Sequence, residues 1–254
     1  MERKLLLSFI LALAPALAAG AGEYRVIAGG DFRSSVRFEE AASTVPVASF
    51  SLMARPVSNA DFAAFVAEHP QWRRDRVPKV FSSPGYLGHW LQADAPGAGV
   101  DPDAPVVHVN WYAADAYCRA QQARLPTFLE WEYVAAADAT RKDARGDRQW
   151  RARRANDGTP HALDAAKDAP ANAYGVYGMH GANWEWSDDF ASLLGDGDRR
   201  GQDDGDRVQY CGASALAFND SADYAVVKRF ILLSALPPQA TLGNLGFRCA
   251  RSQP

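Results

Sequence analysis

A single α+β domain, with few helices, short strands and much ordered coil, is what the sequence predicts. Three observations predict it. Helical spacing of apolar residues occurs in only three short, capped windows. Strand-like runs are brief: "YRVIAGGDF" at 24–32, "VASFSLM" at 47–53 and "PVVHVN" at 105–110. Residues 138–175 and 191–207 are rich in Asp, Gly, Ala, Asn and Arg, with almost no periodic apolar signal. Loops of that length within a compact domain are functional or locally tied down.

The elements follow in chain order. Residues 1–21 carry a basic start (Arg3, Lys4), an apolar run from Leu5 to Ala19, and A-x-A steps at Ala16–Ala18 and Ala19–Ala21. This reads as a secretory signal peptide cleaved after Ala18 or Ala21. Ser8 and Pro15 interrupt the run, and a bilayer span needs about 20 apolar residues. The expected mature domain is 22–254, without a membrane span, in the periplasm or secreted.

Ser58 and Asp61 form a capping-box variant that starts a helix with Phe62, Phe65 and Val66 on one face; Pro70 stops it. Asn110 caps the next helix, where Trp111, Ala114 and Cys118 share a stripe, so Cys118 faces inward. Thr127 and Glu130 box the third, with Trp131 and Val134 on one side. The basic stretch 141–154 reads as a solvated loop face.

Charge and cysteines bound the function. Losing Glu2, Arg3 and Lys4 moves the formal charge from −3 to −4, 25 basic against 29 acidic residues. That gives no electrostatic reason to expect nucleic-acid binding. The chain has 3 cysteines, Cys118, Cys211 and Cys249. An oxidising compartment implies a disulfide with one cysteine left over, and spacing alone does not say which.

The motifs "VVHVNWYAADAYCRAQQARLPTFLEWEYVAA", "YGVYGMHGANWEWSDDF" and "LGNLGFRCAR", with "IAGGDF" and "ARPVSNADFAAFV" before them, resemble the formylglycine-generating enzyme (sulfatase-modifying factor) family. The resemblance spans roughly 24–251 in the family's order. It implies one coil-rich α+β domain of the C-type-lectin-like kind. It also implies a disulfide between Cys118 and Cys249, and a Trp184 that lines the family's cleft. Calcium would be held by the main-chain oxygens of Gly178, Gly181 and Asn183 and the carboxylate of Glu185, hard ligands that suit Ca²⁺. Gly178 stands where the enzyme has asparagine. A second calcium site would begin at Asn156 and Asp157, with Asp164 or Asp168 downstream.

The chain departs from the family at the catalytic turn. The oxidase binds copper(I) through two cysteines five residues apart. Aligned on "CGAS", those positions fall on Leu216 and Ser221, and the turn serine falls on Ala213. Leucine ligates no metal and Ser is a hard donor, so no copper is expected there. The remaining candidates for chemistry are Cys211, His180 and Ser221. Cys211 reads first as a small buried residue. His108 reads as a satisfied core histidine, His89 as a cleft-side or exposed group without a nameable partner, and Arg248 as half of a buried ion pair.

The expected function is therefore that of an exported, monomeric accessory or maturation factor, a pseudoenzyme that binds a small ligand, a periplasmic protein or a metalloenzyme. The alternatives are an oxidoreductase-type enzyme with different chemistry and a lectin-like binding module. The iron-binding H-x-x-x-H-x-E motif of the sulfoxide-synthase relatives is absent.

Overall fold

The computed structural model describes residues 22–36, 44–155, 170–181, 183–192 and 218–253. Three of its helices begin where side chains cap orphan amides. In α1 (Asn59–Glu68) the Ser58 side chain accepts from Asp61 N while Asp61 reaches back to Ser58 N. Asn110 caps α2 (Trp111–Ala120) at Ala113 N. Thr127 and Glu130 form the reciprocal box of α3 (Phe128–Ala135). Each cap satisfies donors that the first turn leaves without partners.

Two further helices depart from the reading of the sequence. The stretch 141–154 is not a loop throughout. Asp147 accepts from Gln149 N and Trp150 N and starts α4 (Arg148–Arg154), which buries Trp150. After the last undescribed stretch, α5 (Tyr224–Ala235) buries Val226, Arg229, Phe230 and Leu233. That set is the i, i+3, i+4, i+7 stripe of an amphipathic helix, with an arginine in the stripe.

Among the described residues the strands are short and form three small sheets. β1 (Tyr24–Ile27), β4 (Phe50–Met53) and β7 (Ala250–Ser252) make an antiparallel sheet in the order β1-β4-β7, with Tyr24 opposite Met53 and Phe50 opposite Ser252. β2 (Gly30–Phe32) pairs with β3 (Val45–Val47). β5 (Trp184–Glu185) runs parallel to β6 (Leu245–Gly246). A Cβ on Gly246 would lie 2.4 Å from Val106 O, so only glycine allows the two backbones to approach there.

Residues 105–110 do not form the expected strand. Only a single bridge, Ser58 to Pro105, is made there. His108 takes φ +54°, which ends any extended run.

The main core lies between α1, α2 and the segment joining β6 to β7. Phe62 has Phe65, Trp90, Tyr117 and Phe247 around it at ring-centre distances of 5.5–6.1 Å. The structure joins Cys118 of α2 to Cys249, 131 residues later, with a Cα–Cα distance of 5.5 Å. A smaller core of Ile27, Phe50, Leu52, Trp131, Val134 and Val176 binds α3 to the three-stranded sheet.

Candidate functional site

Trp184, Glu185 and Trp186 diverge, as adjacent side chains must. Trp186 is fully buried; its Nε1 donates to Val109 O at 2.9 Å and its ring meets Phe190 at 5.1 Å. Glu185 points the other way into a buried charge pair. Arg248 donates through Nη2 to Oε1 at 2.7 Å and through Nε to Oε2 at 2.8 Å. Trp131 Nε1 adds a third bond to Oε2 at 3.1 Å. Trp184 stays half-buried, with Lys228 Nζ of α5 5.8 Å from its ring centre.

Arg248 is caged by oxygen. Besides the carboxylate it donates to Met53 O at 3.2 Å and Tyr177 O at 3.0 Å. The ion pair read from the "GFR" motif is therefore present, and it ties β5, β4 and the 177 turn to the last strand. Gly178, at φ +64°, Gly181 and Asn183 lie on the wall of a cleft of about 820 Å³, with Arg55, Tyr177, Ser58, Asp61 and Asp103. Arg55 lies over the Tyr177 ring at 4.0 Å.

This geometry bears on calcium. The one carboxylate of the expected set is held in bidentate fashion by a guanidinium and capped by an indole. The main-chain oxygens carry no formal charge, and the family's asparagine is Gly178 here. The residues present do not offer Ca²⁺ the free charged oxygen on which such sites are built. Among the described residues, no group of three or more His, Cys, Asp or Glu could hold a metal ion. Asn156, Asp157, Asp164, Asp168, Cys211, Ala213 and Leu216 lie outside the described residues.

The other candidates are dispersed. His180 Nε2 lies 2.6 Å from Ala135 O, which makes it the donor at the end of α3, and its ring sits edge-on to Trp131 and Trp150. Ser221 is exposed in the turn that leads into α5. His108 is not the satisfied core residue expected: its Nδ1 is buried without a hydrogen-bond partner among the described residues. His89 does have a partner, Asn59 Oδ1 at 3.2 Å. Burial, with His108 and Arg74 nearby, pushes the His89 pKa down to about 4, and burial lowers that of His108.

Two buried charges were missed in the sequence. Arg229 lies 3.9 Å over the Trp131 ring, fully buried, and none of its three guanidinium nitrogens has a hydrogen-bond partner among the described residues. Burial holds its pKa well below the ordinary value, against the fields of Glu185 and Asp189. The signal was available, because "VVKRFILL" places Arg229 within an apolar stripe. Glu132 is also fully buried. Ser34 Oγ donates to one of its oxygens and Ser35 N to the other at 2.6 Å, with Arg145 3.7 Å away. Burial pushes its carboxyl up to about 7. No periodicity marks Glu132, since its neighbour Glu130 is an ordinary cap.

The family model described as the sulfatase-modifying factor enzyme 1-like domain matches residues 14–253. A mouse protein named inactive C-alpha-formylglycine-generating enzyme 2 is 28% identical over 90% of this chain and 83% of its own length. The formylglycine-generating enzyme of Thermomonospora curvata is 30% identical over 88% of this chain and 91% of its own. Among solved structures, that of CarF superposes with a TM-score of 0.53 at 18% identity, covering 91% of this chain and 98% of CarF, which speaks to the fold alone.

Proposed function

Because the chain belongs to the sulfatase-modifying-factor family, we propose that it is a copper-free member of it. In this reading it is an exported accessory or maturation factor that binds a protein or small ligand beside Trp184. It is not a formylglycine-generating oxidase. One observation carries the reading. Of the 3 cysteines in the chain, Cys118 and Cys249 are joined to each other. Cys211 is the single thiol that remains. A copper(I) site of two thiolates therefore cannot form, whichever alignment of the catalytic segment is used.

Leu216 and Ser221 at the expected ligand positions support the same conclusion. So does the likeness to a mammalian relative named inactive, although fold by itself carries no activity. The leader-like residues 1–21 and the disulfide both suit an oxidising compartment outside the cytoplasm. Half-buried Trp184 under the ammonium of Lys228 supplies an amphipathic contact of the kind binding sites use.

The test is a thiol count combined with a metal titration. Non-reducing peptide mapping of the purified mature protein is expected to show the Cys118–Cys249 bridge and one free thiol at Cys211. A copper(I) titration against a competing chelator is expected to find no site that depends on Cys211. A Cys211 bridge, or tight copper(I) binding lost in Cys211→Ala, would overturn the proposal.

A further inference from the structure

His89 and His108 come together from segments 19 residues apart, outside the cleft just described. Their ring centres are 5.3 Å apart and their planes are inclined by 29°. Both rings are half-buried, and the Nδ1 atom of each is buried without a hydrogen-bond partner among the described residues.

The tautomer of His89 follows from its neighbours. Asn59 is buried, and its Nδ2 donates to Asp101 O at 3.0 Å and Ala104 O at 3.1 Å, which fixes the amide. Asn59 Oδ1 is then the acceptor, and it already receives Trp90 Nε1 at 2.9 Å. His89 Nε2, at 3.2 Å from the same oxygen, must be the N–H. A neutral ring with its hydrogen on Nε2 carries a bare lone pair on Nδ1. An imidazole that donates through one nitrogen and presents the other unfilled is the arrangement of a metal-bound histidine with its supporting partner.

The backbone around His108 points the same way. His108 and Leu87 are both non-glycine residues at positive φ, +54° and +47°, and Leu87 N donates to His108 O at 2.9 Å. Such conformations persist where the surroundings enforce them, commonly at ligand sites. Gly243 leaves the imidazole its room: a Cβ there would stand 3.2 Å from His108 Nε2.

The geometry points to a two-histidine site for a borderline first-row ion, Zn²⁺ or Cu²⁺, bound through Nδ1 of His89 and Nδ1 of His108. Imidazole nitrogen suits these ions. Two imidazoles on one ion at about 2.0–2.1 Å and a near-tetrahedral angle have ring centres about 5 Å apart, which the observed separation matches. Two protein ligands leave positions for water or an anion. Arg74, held by Leu87 O at 2.9 Å and Trp90 O at 2.7 Å, puts a positive charge near His89 that opposes a bare cation there, so an anion is favoured in the completed shell.

Cobalt(II) chloride is the probe, because a tetrahedral cobalt site absorbs in the visible. Titrated into the purified mature protein, cobalt is expected to bind once, give ligand-field bands and be displaced by zinc. His89→Asn and His108→Asn are each expected to weaken binding more than about tenfold. Asparagine is chosen because it tolerates the left-handed backbone at His108. Melting in chelator controls for folding, and if one variant does not fold the other decides. No ligand-field band, or a titration unchanged in the folded variants, overturns the site.

Discussion

Two buried arginines, one bonded to the carboxylate that Trp131 also caps and one resting on the Trp131 ring, are held in opposite ways. Arg248 gives its donors to both oxygens of Glu185 and to the carbonyls of Met53 and Tyr177. Arg229 gives none of its donors to a hydrogen-bond partner among the described residues and rests on the indole face at 3.9 Å. The first is a strut: three chain segments hang on it, and its charge is matched at contact distance. The second carries a charge whose compensation is a ring quadrupole and the fields of Glu185 and Asp189. Burial alone therefore does not say what a charged side chain contributes. The partner decides, because a buried ion left without one is strongly destabilising and an ion pair only offsets its own desolvation.

The sharpest break of this contrast is at the strut. Arg248→Met leaves the buried Glu185 carboxyl with Trp131 as its one donor among the described residues. We expect a loss of about 3–5 kcal/mol in urea unfolding. A loss below about 1 kcal/mol would mean that Glu185 has another partner.

Glu132 stands between the two cases, bonded by two serines but with its nearest cation, Arg145, at 3.7 Å. Its folded pKa is raised from 4.5 to about 7. Below the unfolded value both states hold the proton and the full contribution is present. As pH rises towards the folded value the unfolded chain ionises first, and stability falls. The nominal change is on the order of 2–3 kcal/mol by linkage. Unfolding free energies measured from pH 4.5 to 7.5 should fall with pH in the wild type and flatten in Glu132→Gln. Parallel curves for the two proteins would remove Glu132 from the account.

Arg229→Met is expected to act with the opposite sign to Arg248→Met. It replaces an unbonded buried charge by an apolar side chain of similar length. The result should lie between no change and a gain of about 1 kcal/mol. A loss above about 2 kcal/mol would show that the guanidinium is bonded in solution.

The smallest effect concerns calcium. With Glu185 engaged by Arg248, melting temperatures in chelator and in millimolar calcium should coincide. A calcium-dependent rise, lost in Glu185→Gln, would show the carboxylate released from Arg248 to a metal.

How much of this was legible in the sequence depended on whether the signal was local. The caps at Ser58, Asn110 and Thr127 were readable because capping is a short-range hydrogen-bond pattern, and all three helices start there. Arg248 was readable from its motif as half of a buried ion pair, but its partner was not, because Glu185 read as a calcium ligand. The helix at 148–154 was not. Its one buried apolar residue, Trp150, gives no periodicity, and the informative residue is the cap Asp147. The strand expected at 105–110 failed for a non-local reason: His108 adopts a left-handed backbone, donating to Leu242 O while its own carbonyl accepts from Leu87 N. Arg229 was legible in principle, as a cation within an apolar stripe, but its stacking on Trp131 comes from packing between α5 and α3.

The central claim is that the family scaffold persists here without the copper oxidase. The most direct measurement gives purified mature protein copper, O₂, a reductant and a sulfatase-motif peptide, and reads the products by mass spectrometry. The account predicts that the peptide cysteine remains unconverted, in wild type and in Cys211→Ala alike. Multiple turnovers to formylglycine, abolished by Cys211→Ala, would contradict it.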